Sequence, residues 1–239
     1  MDSYLADVNQ PLPTTAMERF FSVLRIKPQE MVAVFDGCGR EVRGLLAFNK
    51  NTKTAVFANA TLIEQERLKP AIVLVQAAIE EKSLSETIKR GCEYGVDRFI
   101  IFSAEHSEKF CFNKLRAKVD RLDRIARDAC RQSGRFFVPT ISFKDRLDDI
   151  ISEERSVMSF GVFGDVGERS LLSNRLRGWQ NVGGEFFVVV GPEGGLSDTE
   201  RTMLKRRGFF GVQWAPFTLR SELAALAAIA IFHAFVGRA

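Results

Sequence analysis

Along the first quarter of the chain, apolar positions come in short runs broken by turn residues. Met31 to Phe35 is a β-rich run closed by Asp36-Gly37, a dipeptide that favours a hairpin. Val42 to Phe48 predicts a second strand, Asn49 to Thr52 a turn, and Thr54 to Ala58 a third strand. Short strands joined by tight turns predict a small barrel or sandwich. Near Lys69-Pro70 the rhythm changes. Ile72 to Gln76 is a continuous apolar run, as expected of a strand buried on both faces. A helix is predicted over Ser83 to Tyr94 and stopped by Gly95, and Arg98 to Ser103 reads as the next buried strand. Asn113 to Gln132 predicts one long helix, with Leu115, Val119, Leu122, Ala126 and Ala129 on one face and Gly134 at its end. Val157 to Phe163, Glu185 to Val190 and Phe209 to Trp214 read as further strands separated by helical stretches. Strands alternating with helices predict an α/β fold with a mostly parallel sheet covered on both faces. The chain is therefore expected to hold a small β domain over residues 1–68 and an α/β domain over 69–239.

Composition narrows this picture only a little. The 239 residues are 46% hydrophobic and 27% charged, ordinary for a globular protein able to build a core. A net charge of +4 fits a nucleic-acid partner without requiring one. Cys38, Cys92, Cys111 and Cys130 form no C-x-x-C pair, and Met1 to Gln10 has no apolar core of a signal peptide. Reduced thiols in a cytoplasmic protein without a metal site are expected. Leu223 to Val236 is the longest apolar run. It is too short to span a bilayer, and a buried helix is the expected reading rather than a membrane anchor.

Three segments carry candidate chemistry. In Phe186 to Glu200 an apolar strand runs into Gly191-Pro192-Glu193-Gly194-Gly195-Leu196, and Ser197 with Glu200 forms a capping box that starts a helix. Glycines let the backbone approach a ligand closely, and a helix N-terminus offers free N–H groups. The plainer alternative is a strand-to-helix turn with glycines for geometry alone. Gly-Lys-Ser/Thr of a phosphate loop and G-x-G-x-x-G are both missing, which argues against nucleotide triphosphate and dinucleotide sites. In Phe217 to Ala228, Arg220, Ser221 and Glu222 stand where a loop becomes an apolar helix. Arg220 can reach a phosphate or orient a carbonyl, or Ser221 simply caps the helix while Glu222 complements its dipole. The third segment, Asn113 to Arg135, is rich in arginine and reads either as an RNA-facing stripe or as solvated helix ion pairs. With only His106 and His233 and no G-x-S-x-G, a Ser-His-Asp hydrolase is disfavoured. His233 reads as a core residue, and His106 as a loop residue with no obvious partner.

Taken together, these segments resemble the RsmE family of 16S rRNA (uracil-N3)-methyltransferases. Five matches stand in family order. They are Val23-Leu24-Arg25 through Pro28 to Phe35-Asp36-Gly37, then Arg90 with Glu93-Tyr94-Gly95-Val96, then Ala129 to Pro139, then Gly191 to Glu200, and Leu219 to Ala224. Ser221 and Leu223 stand where the family pattern has threonines, and Arg90 where it usually has lysine. The resemblance implies a PUA-like barrel followed by a SPOUT domain with a trefoil knot, S-adenosyl-L-methionine as cofactor, and a homodimer built on the C-terminal helix. It implies 16S rRNA, within the small ribosomal subunit, as partner.

On that resemblance, Phe163, Gly191, Pro192, Glu193, Gly194, Gly195, Leu196, Trp214, Phe217, Thr218, Leu219 and Ser221 are expected to hold the cofactor. Trp214, Phe217 and Leu219 would line an adenine pocket. Arg220 is expected to stabilise charge developing on uracil, with Glu222 a candidate for proton removal or for orienting Arg220. Arg25, Arg90, Lys109 and Arg135 are expected to meet RNA phosphates. Two other readings remain open at this point: a SPOUT enzyme with another RNA target, and an inactive RNA-binding or ribosome-assembly protein.

Overall fold

The computed structural model describes residue 27 and residues 30–49, 54–154, 159–177, 179 and 184–237. The chain divides into two compact units, Met1–Arg67 and Leu68–Ala239.

The first unit contains an antiparallel sheet of β1 (Met31–Phe35), β2 (Arg40–Asn49) and β3 (Thr54–Glu64), in the order β1-β2-β3. Its inward residues alternate with exposed ones, as one buried face requires, and Val32, Val34, Val42, Leu46, Ala55 and Phe57 form its interior. The Asp36-Gly37 turn is held by the Asp36 carboxylate, which accepts the N–H groups of Cys38 at 2.6 Å and Arg40 at 3.1 Å. Burial pushes this carboxyl upward. The two backbone N–H groups and the Arg40 guanidinium outweigh that and hold it below its ordinary range.

The second unit is a six-stranded sheet in the order β6-β5-β4-β8-β7-β9. The strands are β4 (Ala71–Ala77), β5 (Arg98–Phe102), β6 (Thr140–Lys144), β7 (Phe160–Gly164), β8 (Glu185–Val190) and β9 (Phe210–Val212). Every pairing in it is parallel. Central β4 and β8 carry the longest apolar runs, since both their faces are covered, and in β4 the run ends at the buried Gln76. β6 has no counterpart among the predicted strands. It lies at the sheet edge, is mostly half-buried, and carries Thr140, Ser142 and Lys144, so no apolar run marks it. The Phe209 to Trp214 strand shortens to Phe210–Val212, and Trp214 leaves the sheet.

The helices are α1 (Glu81–Glu93), α2 (Lys109–Arg116), α3 (Val119–Ser133), α4 (Leu147–Glu154), α5 (Leu172–Leu176), α6 (Asp198–Arg206) and α7 (Ser221–Val236). The single helix expected over Asn113 to Gln132 is two, with the break at Ala117 and Lys118. The break lets α2 set Phe112 edge-on against Phe143 of β6, at 5.7 Å, while α3 lies along α1. Lys118 and Arg121 then both pair with Glu81 at the start of α1.

After the edge strand β9 the chain returns over the middle of the sheet. α7 packs on β8 and β4, flanked by α1 and α5. Its Phe232 ring stacks on Phe186 at 4.0 Å, with Trp179 against both rings. His233 Nε2 donates to the Tyr94 carbonyl at 2.6 Å and so ties α7 to the end of α1. Removing a fully buried aromatic from such a stack leaves a cavity. Phe232→Ala is expected to destabilise the second unit by about 3–5 kcal/mol, read from the shift of its urea midpoint. A shift under about 1 kcal/mol would mean that the site collapses around the loss.

Candidate active site

Parallel strands end together, so the loops that follow β7, β8 and β9 meet at one edge of the sheet. There they enclose a cleft of about 620 Å³, within the usual size of a small-molecule site. It is lined by Gly164 to Val166 after β7, Val190 to Leu196 after β8, Val212 to Ser221 after β9, and by Arg201 and Ala224 from two helices. A cleft at the carboxyl ends of parallel strands is the usual ligand position in α/β folds.

The loop after β8 is fixed from several directions. At its far end, Ser197 caps α6. Its hydroxyl accepts the Glu200 N–H at 3.1 Å, and the Glu200 carboxylate accepts the Ser197 N–H at 2.9 Å, completing the predicted capping box. The same carboxylate accepts the Glu105 N–H at 3.1 Å from the loop after β5. His106 on that loop places Nδ1 at 3.2 Å from the Gly194 carbonyl and 3.1 Å from that of Gly195, as a donor to both. Gly195 closes a turn with its N–H on the Pro192 carbonyl at 2.9 Å, at φ +74°. At the near end, a Cβ on Gly191 would lie 2.9 Å from the Leu196 nitrogen, so the loop folds over a position only glycine can occupy.

Ser221 does not cap α7; Arg220 holds the N-cap position. The buried Ser221 hydroxyl instead donates to the Gly191 carbonyl at 2.7 Å and accepts an N–H from the Gln76 side chain at 2.8 Å. Arg220 is exposed at the cleft, and its guanidinium makes no hydrogen bond or ion pair with the described residues. That leaves a cationic fork facing the opening.

The other expected site residues divide. Gly191 to Leu196, Trp214, Thr218 and Leu219 line the cleft as a set. Phe217 stands at its rim, 81% exposed, which suits a lip rather than the wall of an adenine pocket. Phe163 lies outside the lining. It is fully buried inside β7, and the flanking Gly164 reaches the cleft, with the Trp214 ring packed on it. Glu222, one residue into α7, is also outside the lining. Arg135 is committed inside the fold: its guanidinium donates to the carbonyls of Cys92 and Val96 and to Asp97, at 3.2, 2.6 and 3.0 Å. Arg90 pairs with Glu86 and Glu93 on its own helix. Lys109 is exposed at the start of α2, and Arg25 lies outside the described residues.

Sequence reasoning missed four residues here. Asp165 lines the cleft with one carboxylate oxygen accepting the Gly167 N–H at 3.1 Å, and the Gly164-Asp165-Val166-Gly167 turn was its only trace. Arg201 joins the lining from α6, with its guanidinium proton held more firmly by Asp198. His106 and Gln76 reach the site across the fold, and no local pattern marks them. Burial and the Glu108 and Glu193 carboxylates push the nearby Cys111 thiol above its ordinary range, so it donates to the Ile79 carbonyl rather than serving as a thiolate. No cluster of three or more His, Cys, Asp or Glu among the described residues suits a metal ion.

An all-parallel α/β sheet whose strand-end cleft is walled by a glycine loop and a free arginine defines a small-molecule-binding enzyme scaffold. The chain belongs to the RNA methyltransferase domain family, which it matches over residues 66–233. It is 31% identical over 170 residues to ribosomal RNA small subunit methyltransferase E of Aquifex aeolicus, covering 69% of each chain. It is 26% identical over 213 residues to the protein of the same name from Bacillus subtilis, covering 87% of this chain and 83% of that one. Its fold is shared with ribosomal RNA small subunit methyltransferase E from Neisseria gonorrhoeae, solved bound to S-adenosyl methionine. That likeness has a TM-score of 0.80 at 24% identity, covering 95% of this chain and 93% of that one.

Proposed function

We propose that this protein transfers a methyl group from S-adenosyl-L-methionine to N3 of a uridine in 16S rRNA of the small ribosomal subunit. The observation that carries the reading is the joining, across one cleft, of the Gly191–Leu196 loop to the Arg220-Ser221 corner in a chain of the RNA methyltransferase family. The relatives named above act on small-subunit rRNA by their names. The cleft's volume suits a ligand of this size, and the glycine-only approach at Gly191 lets backbone close on it.

When bound, the cofactor supplies an already activated methyl group. The chain's share is placement and charge. The fixed loop and the Thr218–Ser221 segment hold the donor, and Trp214 and Leu219 offer it apolar surface. N3 lies on the pairing edge of uracil, so the base must leave its stack to reach the cleft. Arg220, free at the opening, is positioned to bind the uracil oxygens as negative charge develops on loss of the N3 proton. Lys109 remains the exposed candidate for phosphate contact, whereas Arg90 and Arg135 are already engaged within the protein.

Leu223, which departs from the family's threonine, is 51% exposed and outside the cleft lining. The change therefore touches none of the described cleft contacts, which favours activity over an inactive RNA-binding role. Leu223 lies on the outward face of α7, which stays apolar through Ala227, Ile231 and Ala234, with Phe235 beside it at 40% exposure, where the inward face already packs on the sheet. A homodimer through that outer face accounts for it. Leu223→Glu with Phe235→Glu is expected to give monomers in analytical ultracentrifugation, whereas a wild-type protein that is itself monomeric rejects the dimer. Among the described residues no helix is long and apolar enough to cross a membrane. An enzyme acting on small-subunit rRNA works where ribosomes are, and on that proposed substrate we place it in the cytoplasm.

The test is incubation with methyl-labelled S-adenosyl-L-methionine and small subunits lacking 3-methyluridine, followed by nucleoside mass spectrometry. Labelled 3-methyluridine in 16S rRNA is the expected result. Cofactor binding with label in another nucleoside would move the target, and no binding and no label would sink the enzymatic reading.

A further inference from the structure

One residue of the central strand breaks its apolar run. β4 reads Ala-Ile-Val-Leu-Val-Gln-Ala, and Gln76 is 0% exposed. A primary amide in such a place carries a desolvation penalty unless its polar atoms are matched. Only half of it is. Gln76 Nε2 donates to the Ser221 hydroxyl at 2.8 Å and to the Ala77 carbonyl at 3.2 Å, while Oε1 is buried with no partner among the described residues. A buried acceptor left unpaired is destabilising, so overall stability does not explain the residue. Its geometry does. The Ser221 hydroxyl that receives this N–H donates onward to the Gly191 carbonyl at 2.7 Å. One buried relay thus joins the floor of the sheet, the first residue of α7 and the first residue of the glycine loop.

We propose that Gln76 is a positioning residue for the cofactor. It holds the Ser221 hydroxyl in the rotamer that locks Gly191, and so sets the loop that closes on S-adenosyl-L-methionine. This rests on the cofactor reading given above. The relay fixes the Ser221 rotor in one direction: with Nε2–H pointing at Oγ, the hydroxyl proton is left for Gly191. Without Gln76 the hydroxyl turns freely and the loop loses its tether. The relay asks only for a hydroxyl at position 221, so serine there serves as well as the threonine of the family pattern.

The test uses the full-length protein, with binding of S-adenosylhomocysteine by titration calorimetry and thermal melting of the ligand-free protein measured side by side. Gln76→Leu keeps the size and removes the unmatched amide. It is expected to melt at or above the wild-type temperature yet bind about tenfold more weakly, the scale of one lost hydrogen bond. Ser221→Ala is expected to weaken binding similarly, Ser221→Thr to bind as wild type, and the Gln76→Leu/Ser221→Ala double variant to bind no more weakly than either single by more than about twofold, because both break one relay. Gln76→Leu binding as tightly as wild type overturns the proposal. So does a double variant whose losses add in full. Should Gln76→Leu melt far below wild type, Ser221→Ala with unchanged affinity overturns it and Ser221→Ala with weakened affinity supports it. Wild-type protein that fails to bind S-adenosylhomocysteine overturns the cofactor reading itself, and the relay's role with it.

Discussion

Arg220→Ala is expected to slow methyl transfer by about 10²–10³-fold while cofactor affinity changes by no more than a few-fold, the effect of removing one preorganised charge-stabilising donor. The separation follows from the geometry. Arg220 stands at the N-cap of α7, exposed on the cleft, and none of the described carboxylates engages it. Its backbone carbonyl accepts the Ala224 N–H at 2.8 Å, an interaction alanine retains, so the helix start survives the substitution. What disappears is a planar fork that can meet a uracil oxygen. Arg220→Lys restores charge without the fork and should recover only part of the rate. Single-turnover transfer with saturating cofactor measures this directly. A full rate in Arg220→Ala would remove the residue from the chemistry and leave the charge on uracil to another donor.

Gly191→Ala is expected to abolish measurable cofactor binding, by about 100-fold or more, with the fold retained. The added Cβ would sit 2.9 Å from the Leu196 nitrogen and 3.0 Å from the Gly195 carbonyl carbon, both backbone atoms that cannot swing aside. The loop must open by several tenths of an ångström to reach ordinary contact. At a preorganised site a misplacement of up to about 1 Å costs on the order of 100-fold. It would also pull the Gly191 carbonyl from Ser221. Gly195→Ala is the contrast. Nothing lies within 4 Å of its Cβ, but φ is +74°, so only the left-handed backbone penalty of roughly 1 kcal/mol applies. Titration calorimetry with S-adenosylhomocysteine, beside circular dichroism, separates the two. Equal affinities for the two variants would show that steric closure at Gly191 does not shape the site.

The elements that local sequence could announce are those whose cause is local. β8 was legible from Glu185 to Val190 because a strand covered on both faces leaves an unbroken apolar run. β1 was legible because one buried face alternates and Asp36-Gly37 closes it. The Ser197–Glu200 cap was legible because its partners are three residues apart. β6 was not, because an edge strand needs little apolar surface, and the break at Ala117 and Lys118 was not, because the apolar spacing runs through it.

The site follows the same division. The glycine loop and the Arg220-Ser221 corner stand out in the sequence as turn chemistry beside apolar runs. That they form one cleft is a property of the parallel sheet, which brings the ends of β7, β8 and β9 to one edge. The contacts that hold the loop span 145 residues from Gln76 to Ser221 and 88 from His106 to Gly194. Sequence also made Arg135 look like a surface cation, and only packing turned it inward to the ends of α1 and β5. The chain by itself determined most of the strands and helices, β6 and the break between α2 and α3 apart, and which turns could carry chemistry, because propensity, periodicity and capping act between near neighbours. Tertiary structure alone decided which of those residues face the cleft, which are buried against one another and which remain free, because those outcomes depend on pairings between residues far apart in the chain.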